Sequence, residues 1–125
     1  MTGVLIRPLA ERAEWVDRLA DWHYAEWGAL YADAWSLAAC RSELAMHARS
    51  PTCPGTWVAE RVNVLMGSVS VVEKDADELC EVGGPWLASL YVRPAERGRG
   101  LGRRLVLAAQ AEASRAGYPR LWLFT

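Results

Sequence analysis

Trp86-Leu87-Ala88-Ser89-Leu90-Tyr91-Val92 is an apolar, strand-like run, and Arg93-Pro94-Ala95-Glu96 separates it from Arg97-Gly98-Arg99-Gly100-Leu101-Gly102-Arg103. Glycines there alternate with arginines and a leucine, and a helical pattern starts at once behind them. Glycine admits turns that a side chain forbids and lets a ligand come close to the backbone. A helix N-terminus adds unpaired N–H groups and the positive end of the helix dipole. Together they predict an anion site suited to phosphate. Two familiar phosphate loops are excluded by spacing. A P-loop requires a lysine after its last glycine, and here Arg103 follows Gly102. A G-x-G-x-x-G fingerprint begun at Gly98 or Gly100 requires a further glycine, where the chain has Arg103 or Leu105.

Behind the loop, Leu101, Leu105, Ala108, Ala109, Ala113 and Ala116 form the buried stripe of a helix that Gly117 stops. Residues 120–125 then read as a last, buried strand. At the other end, residues 4–9 read as a short strand. Leu9, Ala13, Val16, Ala20, His23 and Trp27 recur at helical spacing, and Gly28 is the expected end of that helix. A second helix is predicted over residues 33–49, capped by Asp33 or Ser36, with Leu37, Cys40, Leu44 and His47 on one face. Ser50-Pro51-Thr52-Cys53-Pro54-Gly55 breaks the pattern. Residues 56–61 and 64–73 read as strands turning at Val62-Asn63, with Gly67 marking a bulge. Residues 74–84 read as a mostly acidic loop, and residues 85–92 as the next strand. The order is β-α-α-β-β-β-α-β, without internal repeats.

The chain has 125 residues, which fits a single domain, 1–125. Apolar residues make up 52% and charged residues 23%, so it carries enough core material to fold. With 14 basic and 15 acidic residues it lacks the basic footprint of a nucleic-acid binder. No apolar run approaches the roughly 20 residues of a membrane span, and the N-terminus lacks a signal-peptide pattern. Cys40, Cys53 and Cys80 are odd in number and widely spaced, which predicts reduced thiols in a cytoplasmic protein and no metal site. Cys80 lies nearest the strand before the loop.

The run from Leu90 to Gly102 resembles the coenzyme A loop of the GNAT superfamily of N-acetyltransferases. That family carries an apolar strand ending in valine, often a proline, then [Arg/Gln]-x-x-Gly-x-[Gly/Ala]; Arg97, Gly100 and Gly102 fill those positions. The likeness is tight over residues 86–117 and looser over residues 4–125. It implies an α/β (α+β) fold, acyl-CoA N-acyltransferase-like, with a mixed, mostly antiparallel twisted sheet. It implies acetyl-CoA as cosubstrate and a primary amine of a small molecule or peptide as acceptor. The backbones around Leu90, Tyr91 and Val92 would pair with the pantetheine arm. The amides of Arg97, Gly98, Arg99, Gly100, Leu101, Gly102 and Arg103 would hold the pyrophosphate, with the arginines adding charge.

Set against that family, the chain stops at the end of its last expected strand, short of a further helix and strands. It therefore reads as C-terminally truncated, with a homodimer expected to cover the exposed strand. A truncated, non-catalytic coenzyme A-binding or assembly protein is the alternative. Trp86 stands where some members place a basic glutamate, and tryptophan accepts no proton. Candidate bases are Glu26, His23, Glu78 and Glu81. His23 falls on an apolar helix face and reads equally as a core histidine; Glu26 reads equally as a solvated carboxylate. The acids Glu73, Asp75, Asp77, Glu78 and Glu81 would attract a cationic acceptor or form a solvated loop. Trp22, Trp27, Tyr31, Trp35 and Trp86 would pack as core or face a cationic amine.

Overall fold

The computed structural model describes residues 3–73 and 84–123. Four strands form one sheet in the order β1 (Val4–Pro8), β2 (Gly55–Arg61), β3 (Val64–Val72) and β4 (Trp86–Val92), each antiparallel to its neighbour. Helices α1 (Val16–Tyr31) and α2 (Leu37–His47) cover one face, and α3 (Leu101–Arg115) covers the other. A sheet buried on both faces needs apolar side chains pointing both ways. Val69 and Val71 face α3 with Leu101, Leu105 and Ala109; Val58 and Leu65 face Leu19, Ala20 and Leu44.

The α1–α2 face of the sheet also carries buried polar groups, each with a partner. Ser68 Oγ is 2.9 Å from His23 Nε2 of α1. Thr56 Oγ1 is 2.7 Å from His47 Nδ1 of α2 and 2.8 Å from Ser70 Oγ. Near the end of β2, Glu60 is held bidentately by Arg12, with Nε–Oε1 at 2.9 Å and Nη2–Oε2 at 2.8 Å, and by Arg7 Nε at 2.7 Å. Arg12 reaches it from a kinked stretch of 3-10 helix, Leu9–Trp15, where its own backbone leaves the helical region.

Several element boundaries differ from expectation. The first helix is broken in two: the apolar spacing from Leu9 covers the kinked 3-10 stretch, and regular α-helix begins at Val16. Gly28 does not end it, for α1 runs on to Tyr31 and stops where Ala32 takes φ +47°. A glycine inside a helix costs about 1 kcal/mol relative to alanine but does not break it. The Tyr24 ring lies over Gly28, 2.9 Å from where a Cβ would stand. The second helix is shorter than residues 33–49, and Ser36 is its cap, accepting a bond from Ala39 N–H at 3.0 Å. Asp33 sits in a separate 3-10 turn.

The last strand is described only in part. Among the described residues after α3 there is only a parallel bridge, Trp86 to Trp122. It consists of Leu87 N–H to Trp122 O (2.7 Å) and Trp122 N–H to Pro85 O (3.0 Å). Phe124 and Thr125 lie outside the described residues, as do Glu78, Glu81, Cys80 and the rest of residues 74–83. No helix among the described residues is long and apolar enough to cross a membrane.

Candidate functional site

The site is built where β4 bends. Ser68 opposes Tyr91 and Ser70 opposes Ala88, so Ser89 and Leu90 together face the single residue Val69. Ser89 takes φ +53°, a left-handed value that costs a side-chain-bearing residue about 1 kcal/mol or more. Such a bulge bends its strand and frees its edge. Gly67 lets the bent strand come close: a Cβ there would stand 2.6 Å from Tyr91 O and 3.3 Å from a Leu105 methyl. The bulge expected at Gly67 is thus present as a register shift beside it in the β2–β3 ladder, and a close backbone approach accompanies it.

The outer edge of β4 has two halves. Trp122 occupies the first through its bridge. In the second, Arg93 N–H points inward to Met66 O at 2.9 Å, so the trans peptide sends Val92 C=O outward. Arg97 Nε donates to that outward carbonyl at 2.8 Å. The Arg97 guanidinium also lies over the Tyr91 ring, 5.6 Å from its centroid, and 3.8 Å from Glu26 of α1.

After β4, a 3-10 turn over Pro94–Glu96 leads into the glycine loop. Gly98 and Gly100 have φ of +80° and +86°, conformations that a side chain resists. Gly100 is the N-cap of α3, and no side chain caps it. The first backbone bond of the helix is Arg104 N–H to Gly100 O at 3.2 Å. The N–H groups of Leu101, Gly102 and Arg103 therefore lie ahead of the ladder, at the positive end of a 15-residue helix. Arg99 and Arg103 are exposed beside them. Gly102 is not required by its own chain, because a Cβ there would meet nothing nearer than Val92 Cγ2 at 3.8 Å. Uncapped amides, open glycines and exposed arginines suit a phosphate-bearing ligand.

Below the loop, Glu96 is buried. Its Oε1 accepts from Arg93 Nη2 at 2.7 Å, and Arg99 Nη1 lies 3.8 Å from Oε2. The Arg93 hydrogen bond leads the influences that hold this carboxyl below the usual range, with Arg61 and Arg99 adding to it. Sequence reading passed over Glu96; the signal available was an acid set between arginines at Arg93, Arg97 and Arg99.

The candidate bases fall in different places. His23 is 2% exposed, with its Nε2 bonded to Ser68 and its ring packed on Trp27 at 5.1 Å and Tyr91 at 6.1 Å. Burial pushes its pKa down to about 4. Glu26 is half exposed and faces Arg97. Trp86 is buried against Trp122, ring centroids 5.7 Å apart. Trp22 and Trp27 meet Tyr91 at 5.4 and 6.1 Å, so they join α1 to β4, while Tyr31 and Trp35 pair at 5.5 Å away from it. Cys40 is buried and its thiol is pushed up to about 11, first by burial. Two cavities, of about 270 and 220 Å³, lie beside the C-terminal half of α3 rather than at the glycine loop.

The family model described as Acetyltransferase (GNAT) family matches residues 15–125. No curated protein sequence matches the chain. Among solved structures, a GCN5-related N-acetyltransferase from Ralstonia eutropha is 26% identical, with a TM-score of 0.63 over 98% of this chain and 84% of that one. The aminoglycoside acetyltransferase AAC(6')-Iy, in complex with a CoA bisubstrate analogue, is 18% identical with a TM-score of 0.65, over 98% and 79% of the two chains. A protein from Clostridium acetobutylicum described as a predicted acetyltransferase, solved with acetyl-CoA, is 12% identical with a TM-score of 0.68, over 98% and 80%. The latter two, at such identities, speak for the fold.

Proposed function

The chain belongs to the acetyltransferase (GNAT) family, and we propose that it moves the acetyl group of acetyl-CoA to a primary amine on a small molecule or peptide. The observation that carries this reading is the uncapped start of α3. Its first three amides sit beside exposed Arg99 and Arg103, directly after a strand whose edge turns outward. On this reading the N–H groups of Leu101, Gly102 and Arg103 hold the pyrophosphate, with charge from Arg99 and Arg103. The edge from Leu90 to Val92 pairs with the pantetheine arm. Acetyl-CoA brings the activated acyl group and the thiolate that leaves. The protein's task is to hold an amine in attacking position, which accounts for much of such a rate enhancement. Glu26 is the acid best placed among the described candidates to receive a proton, since it is exposed beside the outward edge. His23 serves as structure, its Nε2 being engaged by Ser68.

The second reading, a coenzyme A binder without turnover, is favoured by one observation: Trp86, at about the position where the resemblance would put a family base, is buried. The test is calorimetry of acetyl-CoA on the purified chain, followed by thiol release over a panel of primary amines. Binding with amine-dependent thiol release supports the transferase. Saturable binding without release on any amine supports the second reading. Absence of binding by a folded chain overturns both. Gly100→Asp should abolish binding, because it adds a side chain at φ +86° and a negative charge beside the phosphate site.

A further inference from the structure

The glycine loop has a difficulty of its own. Arg93, Arg97, Arg99, Arg103 and Arg104 crowd five like charges into twelve residues. Gly98 and Gly100 supply turns but no stiffness, for a Cβ at either would meet nothing within 4 Å. A loop so open and so cationic would splay before an anion arrived. Glu96 is the acid placed to prevent this. Its side chain is 5% exposed, on the inner side of the loop. One oxygen takes Arg93, at the end of β4, at 2.7 Å; the other faces Arg99, beyond Gly98, at 3.8 Å. The carboxylate thus spans the Gly98 turn and ties the strand side of the loop to its helix side.

We propose that Glu96 is a positioning residue for coenzyme binding, preorganising the glycine loop through Arg93 and Arg99. This rests on the coenzyme reading of the loop given above. Holding a binding loop in its bound shape in advance strengthens binding by removing an ordering cost. The proposal makes a prediction opposite in sign to simple electrostatics. A negative charge beside a phosphate site repels the ligand, so its removal alone would tighten binding. If Glu96 positions the loop, its removal weakens binding.

The experiment is calorimetry of acetyl-CoA on the wild-type chain and on Glu96→Gln, Glu96→Asp, Arg99→Gln and the double variant E96Q/R99Q. Near-UV circular dichroism checks that each is folded. E96Q should bind about tenfold more weakly than wild type. E96D keeps the charge but is too short to span both arginines, and should bind more weakly by a few fold. It carries the test if E96Q does not fold. In the R99Q background, E96Q should add less than a twofold loss, since the span across the Gly98 turn is already broken at its Arg99 end. Equal or tighter binding by E96Q, wild-type binding by E96D, or an undiminished loss in the R99Q background would each overturn the proposal. Failure of the wild type itself to bind would instead sink the coenzyme reading and this inference with it.

Discussion

Gly102 and Gly67 lack side chains for opposite reasons, and two substitutions separate them. At Gly67 the space is taken by the protein itself: a Cβ would stand 2.6 Å from Tyr91 O. Gly67→Ala should therefore force β3 and β4 apart and cost about 1–3 kcal/mol, as overpacked interiors do, read from the urea midpoint. At Gly102 the space is open. Gly102→Ala should leave the free protein as stable or stabilise it by up to about 1 kcal/mol, because alanine suits a helix better. The family pattern admits alanine at this position, so acetyl-CoA binding should survive Gly102→Ala, whereas Gly102→Asp should abolish it by blocking close backbone approach and repelling phosphate. A Gly102→Asp variant with wild-type affinity would count against the loop as a phosphate cradle. Much of this was legible in the chain, since three glycines before a helical stripe have few explanations. Ser68 and Glu96 were not. The bond between His23 and Ser68 joins residues 45 apart in sequence, and whether a polar residue is buried with a partner depends on such distant neighbours.

At the level of elements, the kinked stretch from Leu9 to Trp15 shows why helix periodicity misplaced the start of α1. Apolar spacing fixes a buried face but not the hydrogen-bond pattern, and here a long-range clasp imposes the kink. Arg12 leaves helical geometry and reaches the buried carboxylate of Glu60 in a bidentate pair. Bidentate arginine–carboxylate pairs are the strong ones. Glu60→Gln keeps the shape and removes the charge that two arginines share, so it should destabilise the chain by roughly 2–3 kcal/mol. Faster hydrogen exchange should be confined to β1 and the turn after it; loss spread evenly over the sheet would show that Glu60 does not clasp that element. Of the strand expected over residues 120–125, the described part makes the parallel bridge of Trp122 with Trp86, and the last two residues lie outside the described ones. An apolar run promises burial, and Trp122 packs on the buried Trp86, ring centroids 5.7 Å apart.

Across the whole molecule, the two helices on one face are fastened to the sheet by imidazoles that must stay neutral. His23 bonds Ser68 beneath α1, and His47 bonds Thr56 beneath α2. Burial pushes His23 from the ordinary histidine value down to about 4, and pushes His47 in the same direction. Between those two values the unfolded chain binds more protons than the folded one, so stability rises with pH across that window. It is fully present above about pH 6.5 and falls as pH drops toward 4, by roughly 3 kcal/mol for His23 at most. Glu60 and Glu96, both held below the usual carboxylate range by hydrogen bonds from Arg12 and Arg93, add their own loss only below about pH 4.5. Urea unfolding from about pH 7 to about pH 4 should thus show a decline that starts well above the carboxylate range. His23→Gln should start less stable and decline less steeply, because one of the two neutral imidazoles has been removed. A wild-type chain with constant stability down to about pH 5 would mean that neither histidine is buried as described. The same measurement bears on catalysis. A histidine whose proton affinity is lowered this far, and whose Nε2 is held by Ser68, fastens α1 above Tyr91, and on the proposed reading it leaves deprotonation of the amine to a group nearer solvent.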